Sequence, residues 1–260
     1  MNRISVITIC FNNLSDLQRT CDSVDMQSVL PDEHWIINGS TAPAIADWLI
    51  TVPQPAYRKW LNEPDAGIAD AFNKGINKAE YEITHLLHAG DCYACANSIL
   101  SVQQYFEKYP DTMWTSGNIQ IVRGGEIVVV GKAFNASKLY KGMRSVAHPT
   151  WFVKRAVYDR VGFFDLNIKI AMDYDLMCRI AHEPYGYINQ TITIFDNTGI
   201  STRDYPNSLK ENITIYEKYN GYSLKCRIWQ FRLLMLYILL NTSLGKWMFR
   251  QKKRLGWQNI

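Results

Sequence analysis

Apolar residues fall in short runs that polar turn residues interrupt at a steady rhythm. Residues 3–10 (RISVITIC) are β-branched and apolar over the length of one strand, and they stop at Phe11-Asn12-Asn13, a turn. From Leu14 to Gln27 the apolar positions Leu14, Leu17, Cys21 and Val24 share one face of a predicted helix. Residues 33–37 predict a second strand closed by Asn38-Gly39-Ser40-Thr41, and a helix starts at Ala44. A third strand is predicted from Tyr57 to Leu61, ending at Asn62-Glu63-Pro64-Asp65. The Ala66-Gly67 turn then leads into a helix over 68–79. Residues 83–87 form a buried strand stopped by Ala89-Gly90-Asp91. Strands that alternate with helices in this way predict an α/β fold, a mainly parallel sheet flanked by helices on both faces. In such a sheet ligands bind beyond the carboxyl ends of the strands. Asn12, Asn38, Asp65 and Asp91 all lie just past strand ends, so they are expected to converge on one edge.

The second half is less regular. Helices are predicted over 96–109, 154–161, 173–182 and 208–220, a hairpin over 117–131 around Gly124-Gly125, and a strand over 150–153. The apolar run 228–240 is 13 residues long and contains Arg232. A bilayer-spanning helix needs about 20 apolar residues, so this run is expected to be a helical appendage. The chain divides accordingly into a main domain, 1–221, and a tail, 222–260.

Composition excludes disorder and adds one asymmetry. The chain has 260 residues, 47% of them hydrophobic and 20% charged, ordinary values for a globular protein. The tail carries Lys225, Arg227, Arg232, Lys246, Arg250, Lys252, Lys253 and Arg254 without an acid. With a net charge of +4 overall, the rest of the chain is acidic. A basic, apolar tail suits an anionic lipid surface, or packs on the domain or on a second copy. The basic residues are not interleaved with a groove of aromatics, so nucleic acid is not an expected partner. No secretory signal precedes the first strand, and the six cysteines are expected to be free thiols in the cytoplasm. Cys92 and Cys95 form a lone C-x-x-C without the second pair that a zinc site needs.

Three segments carry chemistry. Asp91 follows a buried strand, where a carboxylate either holds Mg²⁺ or Mn²⁺ together with substrate phosphates or caps the next helix. In Asp173-Tyr174-Asp175 the two acids point differently on a helix. Either one faces the crevice as a general base, or both are an ordinary acid-rich first turn. Asp70, Asn73 and Lys74 share a helix face, as a diphosphate or sugar contact or as an ion pair. His148, before a proline, is a lone histidine with a structural or a catalytic reading.

Taken together these segments resemble the family 2 glycosyltransferases of GT-A (Rossmann-like) fold, over roughly residues 3–196. The resemblance rests on SVITICFNN (5–13), IINGST (36–41), NEPDAGIADAFNKGI (62–76), LLHAGD (86–91), HPTWF from 148, and GFFDLNIKIAMDYDLMCRI ending at 180. It is most similar to bacterial enzymes of O-antigen, capsule or exopolysaccharide assembly. It implies inverting, metal-dependent transfer of a sugar from a UDP-, GDP- or dTDP-sugar to a glycan or lipid-linked glycan acceptor. Thr8 and Phe11 would line the nucleotide pocket, and Asn38 would meet the base or ribose. Asp65 with Asp70, Asn73 and Lys74 would lie beside the nucleotide and donor sugar. Asp91 would hold Mn²⁺ or Mg²⁺ on the diphosphate, His148 would approach the diphosphate or metal, and Asp173 would be the catalytic base. A cytoplasmic enzyme is implied, peripheral on the inner face of the cytoplasmic membrane through its tail, or paired through it as a homodimer.

The chain departs from that pattern twice. Asn38 stands where aspartate is usual, and His88-Ala89-Gly90-Asp91 offers one carboxylate where many relatives offer two. These departures motivate the alternative, a nucleotide-sugar-binding protein that has lost catalysis. Asp173 argues against it, because a binder needs no base.

Overall fold

A computed structural model describes residues 2–123, 125–143, 146–196 and 203–243. The first half follows the expected alternation: β1 (Ile4–Cys10), α1 (Leu14–Asp25), β2 (Glu33–Asn38), α2 (Ala44–Thr51), β3 (Arg58–Asn62), α3 (Ile68–Lys78) and β4 (Ile83–Leu86). Next come β5 (Cys92–Tyr93), α4 (Ser98–Lys108), β6 (Trp114–Arg123), β7 (Glu126–Val130) and two 3-10 turns, Ala136–Lys141 and His148–Thr150. The chain continues through β8 (Phe152–Lys154), α5 (Arg155–Val161), α6 (Met172–Arg179) and β9 (Tyr185–Ile194). Two helices follow, α7 (Tyr205–Asn220) and α8 (Leu224–Asn241).

One sheet runs β3-β2-β1-β4-β8-β6-β9-β5, with β7 paired to β6 at the side. Strands β3, β2, β1 and β4 are parallel, as are β6 and β9; β8, β7 and β5 join antiparallel. Every residue of β1 is buried, as expected for a strand covered on both faces. Its polar positions are satisfied inside: Ser5 Oγ donates to Glu33 Oε1 at 2.7 Å, and Thr8 Oγ1 lies 2.9 Å from His34 Nε2.

Three apolar clusters fill the two faces. The largest joins α3, α5 and α6 to β1, β2 and the 3-10 turn Ala136–Lys141. A second lies under α4, and a third under α1 and α2. Helix α3 lies close on β1 and β2 because Gly75 has no side chain. A Cβ there would meet Ile7 Cγ2 at 2.3 Å. That close approach sets the α3 N-terminus beside the carboxyl ends of the strands.

Two elements differ from the sequence expectation. Strand β9, with β5 on its flank, was not expected from YGYINQTITI, whose apolar positions are broken by Asn189 and Gln190. Pairing with β6 on one side and β5 on the other makes it a strand. The strand expected over 150–153 begins two residues later, because Pro149 favours the 3-10 turn at His148–Thr150. Residue 124 of the hairpin turn, residues 197–202 and the tail from 244 on lie outside the described residues, and with them Lys246, Arg250, Lys252, Lys253 and Arg254.

Candidate active site

The polar turns at the carboxyl ends of β1, β2, β3 and β4 meet on one edge. The turn after β1 is held by the next one: the Asn12 N–H donates to Ser40 Oγ at 2.8 Å, and the Ala42 N–H to Asn12 Oδ1 at 3.1 Å. Two adjoining cavities of about 510 and 670 Å³ open here, sharing Asn13, Ile68, His88 and Ala89. The smaller one is lined by Phe11, Cys10, Asp65 and Gly67. Phe11 is 58% exposed, so its ring is open to stack on a flat ligand. The Asp65 carboxylate accepts from the Gly67 N–H at 2.9 Å and lies against Gly39, where a Cβ would fall 1.7 Å from Asp65 Oδ2. Gly39 is therefore what lets that acid sit at the cavity.

The larger cavity holds the acids. Asp91 is buried, its Oδ1 accepts from the Asp196 N–H at 2.9 Å, and its Oδ2 has no hydrogen-bond partner. Burial, together with the nearby Asp196 charge, pushes its carboxyl up to about 7. Asp16 and Asp196 flank Gly90 and line the same cavity. Asp173, half-buried in the first turn of α6, also lines it. Burial raises its carboxyl to about 6, although its Oδ1 accepts from the Tyr174 N–H at 2.7 Å. Its neighbour diverges as the helix geometry requires: Asp175 is buried against Arg179 at 2.9 Å and Tyr219 Oη at 2.8 Å.

Two histidines stand between the acids. His88 and His148 both line the larger cavity and both contact the ring of Phe72, with centroids 4.7 and 5.7 Å away. Burial lowers His88 to about 4 and His148 to about 3. Both are neutral imidazoles at pH 7, able to donate or accept one hydrogen bond but bringing no positive charge. Arg203 is the one arginine or lysine on the cavity wall among the described residues. Among the described residues four aspartates line this cavity with one guanidinium, a surplus of acid that a bound cation would offset.

Several expected residues lie elsewhere. Thr8 is fully buried, spent on His34, and lines neither cavity. Asn38 is buried too. Its amide donates to Asn62 Oδ1 at 3.0 Å and accepts from the Ser40 N–H at 3.1 Å, which fixes the strand ends. Lys74 is turned away onto Glu63 at 2.8 Å, Asp70 at 3.3 Å and the Pro64 carbonyl at 2.6 Å. Asp70 accepts from the Ala66 N–H at 2.9 Å, so this pair braces the loop that carries Asp65. Asn73 brackets the backbone of Phe164, donating to its carbonyl and accepting from its N–H, both at 2.9 Å. Of the expected set, Phe11 and Asp65 line the smaller cavity, and Asp91, His148 and Asp173 line the larger one.

Sequence reasoning passed over His88, Phe72, Asp196, Arg203 and Glu211. His88 carried a signal, standing in the same strand-end turn as Asp91. The others did not. Asp196 follows the unexpected strand β9, and Glu211 reaches back from α7 to accept from the backbone N–H groups of Ile170 and Ala171 at 3.0 and 2.8 Å. That cap sets the entry of α6, and hence Asp173.

Among the described residues no three His, Cys, Asp or Glu side chains form a ready-made metal cage. The orphaned Asp91 Oδ2 nevertheless suits a hard cation that takes one or two protein oxygens and completes its shell with phosphate and water.

No family model matches the chain. A glycosyltransferase of Mycobacterium tuberculosis, described as uncharacterized, is 31% identical over 211 residues, covering 79% of each chain. A PGL/p-HBAD biosynthesis glycosyltransferase of Mycobacterium bovis is 24% identical over 186 residues, 71% of this chain and 68% of the relative. Among solved structures, a mannosyltransferase from Pyrobaculum calidifontis in complex with GDP-Man and Mn²⁺ matches with a TM-score of 0.63 at 15% identity. The match covers 99% of this chain and 76% of that one. TarS of S. aureus in complex with UDP-GlcNAc matches with a TM-score of 0.62 at 12% identity, over 84% and 67%. The shared architecture is the GT-A fold.

Proposed function

The chain belongs to the glycosyltransferases, and on that premise we propose that its strand-end cavities carry out metal-dependent, inverting transfer of a sugar from a nucleoside diphosphate to an acceptor hydroxyl. The observation that carries the proposal is the pair of acids in the larger cavity, Asp91 with a buried, unpartnered oxygen and Asp173 with a raised carboxyl.

In this reading the smaller cavity takes the nucleoside, with Phe11 against the base and Asp65 near the ribose. Asp91, with Asp196 beside it, would hold Mn²⁺ or Mg²⁺, whose positive charge would offset that of a diphosphate. Arg203 adds a fixed positive charge, and His88 and His148 act as neutral hydrogen-bonding groups. Asp173 takes the proton of the acceptor hydroxyl while that oxygen attacks the anomeric carbon and the bond to the diphosphate breaks. A single displacement inverts the configuration and needs no nucleophile from the protein. Support for a nucleotide-sugar donor comes from two neighbours of the same fold, solved with GDP-Man and with UDP-GlcNAc. Loss of catalysis is the weaker reading, because Asn38, its main motive, holds strand ends together and lines neither cavity.

The acceptor is read as a glycan or lipid-linked glycan of the cell surface, of the O-antigen, capsule or exopolysaccharide kind. Residues 1–221 are read as the catalytic domain and 222–260 as an appendage that rests on the inner face of the cytoplasmic membrane. No helix among the described residues is long and apolar enough to cross a membrane. Calorimetric titration with UDP, GDP and dTDP, with and without Mn²⁺, tests the core of the proposal. One nucleotide is expected to bind in a way that requires both Mn²⁺ and Asp91. Failure of all three on the folded protein would overturn it.

A further inference from the structure

Between its polar groups the larger cavity presents a set of aliphatic side chains. Asn13 and Asp16 come from the start of α1, His88 and Asp91 from the turn after β4, and Asp173 and Asp196 from α6 and the end of β9. Six of the lining residues from Ile119 onward are isoleucine, valine or methionine. Ile119 and Val130 face each other across the β6–β7 hairpin and both line the cavity. Met143 and Val146 line it just ahead of His148, and Ile170 and Met172 just ahead of Asp173.

None of these six side chains carries a good hydrogen-bonding group. Sugar hydroxyls pressed against them would give up water and gain no partner. An alkyl or aryl group gains from the same burial. The wall is also held firmly from behind. The Tyr174 hydroxyl donates to the Leu139 carbonyl at 2.7 Å, and Gln230 Nε2 of α8 donates to the Tyr140 carbonyl at 3.1 Å. The segment ending in Met143 is thus clamped between α6 and α8, while Glu211 fixes Ile170 through its backbone N–H. A preformed apolar wall next to a few polar groups is the usual build of a ligand site.

We propose that the acceptor carries an apolar alkyl or aryl aglycone close to its reacting hydroxyl, and that this aglycone seats on the wall of Ile119, Val130, Met143, Val146 and Ile170 while Asp173 meets the hydroxyl. This rests on Asp173 being the base of a glycosyl transfer. It narrows the acceptor to one whose hydrocarbon lies within a residue or two of the new bond, in contrast to a long polar glycan with its lipid far away.

The test is a titration of octyl and methyl β-glucopyranoside, below the micelle limit of the octyl compound, into the protein with and without nucleotide and Mn²⁺. Each buried methylene is worth about fourfold in affinity. The octyl compound should therefore bind at least about tenfold more tightly than the methyl one, and Val130→Asn and Ile170→Asn should each remove most of that gain. Both sites are half-buried, and nucleotide titration of the same variants reports whether they fold; Val130→Ile should keep the gain. Equal binding of the two glycosides overturns the proposal. So does octyl binding that survives both wall variants but is lost in an Ile228→Ser/Phe231→Ser protein, because it then belongs to α8. Failure of nucleotide binding in the presence of a normal octyl preference would instead overturn the glycosyl-transfer reading and leave the apolar site standing.

Discussion

At the scale of single residues, the site depends on which polar atoms are left over after folding. Asp91 keeps one buried oxygen without a partner, whereas Asp175 spends its carboxylate on Arg179 and Tyr219. Asp91→Asn should therefore abolish the Mn²⁺-dependent part of nucleotide affinity in calorimetry while the protein stays folded. Asp173→Asn should lower kcat by about 10²–10⁴-fold and leave nucleotide affinity unchanged. With its carboxyl raised to about 6, Asp173 must lose a proton to act as a base. The profile of kcat/KM should accordingly have an acid limb that begins near pH 6, with the Asp91 carboxyl, pushed up to about 7, extending the rise. The Asp173 shift also has a stability sign. Between its ordinary 3.8 and about 6 the folded protein holds a proton that the unfolded chain releases, so stability falls as pH rises across that window. Melting curves over that range should be flatter in Asp173→Asn.

At the scale of elements, side chains that never enter the cavities fix its walls. Asn73 on α3 joins the backbone of Phe164 by two hydrogen bonds, and the Phe164 ring packs on Phe72 and lines the larger cavity. Asn73→Ala leaves a buried N–H and C=O without partners and should cost roughly 1–3 kcal/mol in chemical denaturation. Glu211 on α7 caps the turn before α6. Glu211→Ala should reduce kcat through misplacement of Asp173, and because the Glu211 charge helps to raise that carboxyl, it should also move the acid limb of the pH profile downward. A purely structural role for Glu211 would lower the melting temperature and leave the limb in place.

At the scale of the whole molecule, the last described helix is unlike the rest. α8 buries Cys226, Gln230 and Leu233 against the body, yet Leu224, Ile228, Phe231, Met235 and Ile238 are exposed along one side. Lys141, Lys225 and Arg232 lie over the rings of Tyr140 and Trp229 at its base. An apolar stripe edged by basic and aromatic residues fits the headgroup region of an anionic bilayer. Co-flotation with anionic liposomes, and its loss in Ile228→Ser/Phe231→Ser, is the expected result. A protein that stays at the bottom of the gradient while running as a dimer in sizing experiments would assign the stripe to a second copy.

The strand–helix alternation of residues 3–87 was legible in the sequence because each element there carries its own signal, a β-branched run or a helical apolar spacing, and because a parallel sheet forces its strand-end turns onto one edge. That was enough to bring Asp65 and Asp91 to the cavities, whereas the acid-rich start of α6 left Asp173 with two readings and only the family resemblance singled it out. The sequence could not say where a polar side chain spends its hydrogen bonds. Lys74 and Asn73 have the spacing of ligand contacts, but folding puts an acid and a bare backbone within their reach, and they become braces. Strand β9 was invisible because its identity comes from its neighbours β6 and β5, about 70 and 100 residues away in sequence. With it were hidden Asp196 and the hydrocarbon wall, since a line of aliphatic residues reads the same in sequence whether it fills a core or faces a ligand. Only the packed structure separates the two, by placing that line on the wall of a cavity.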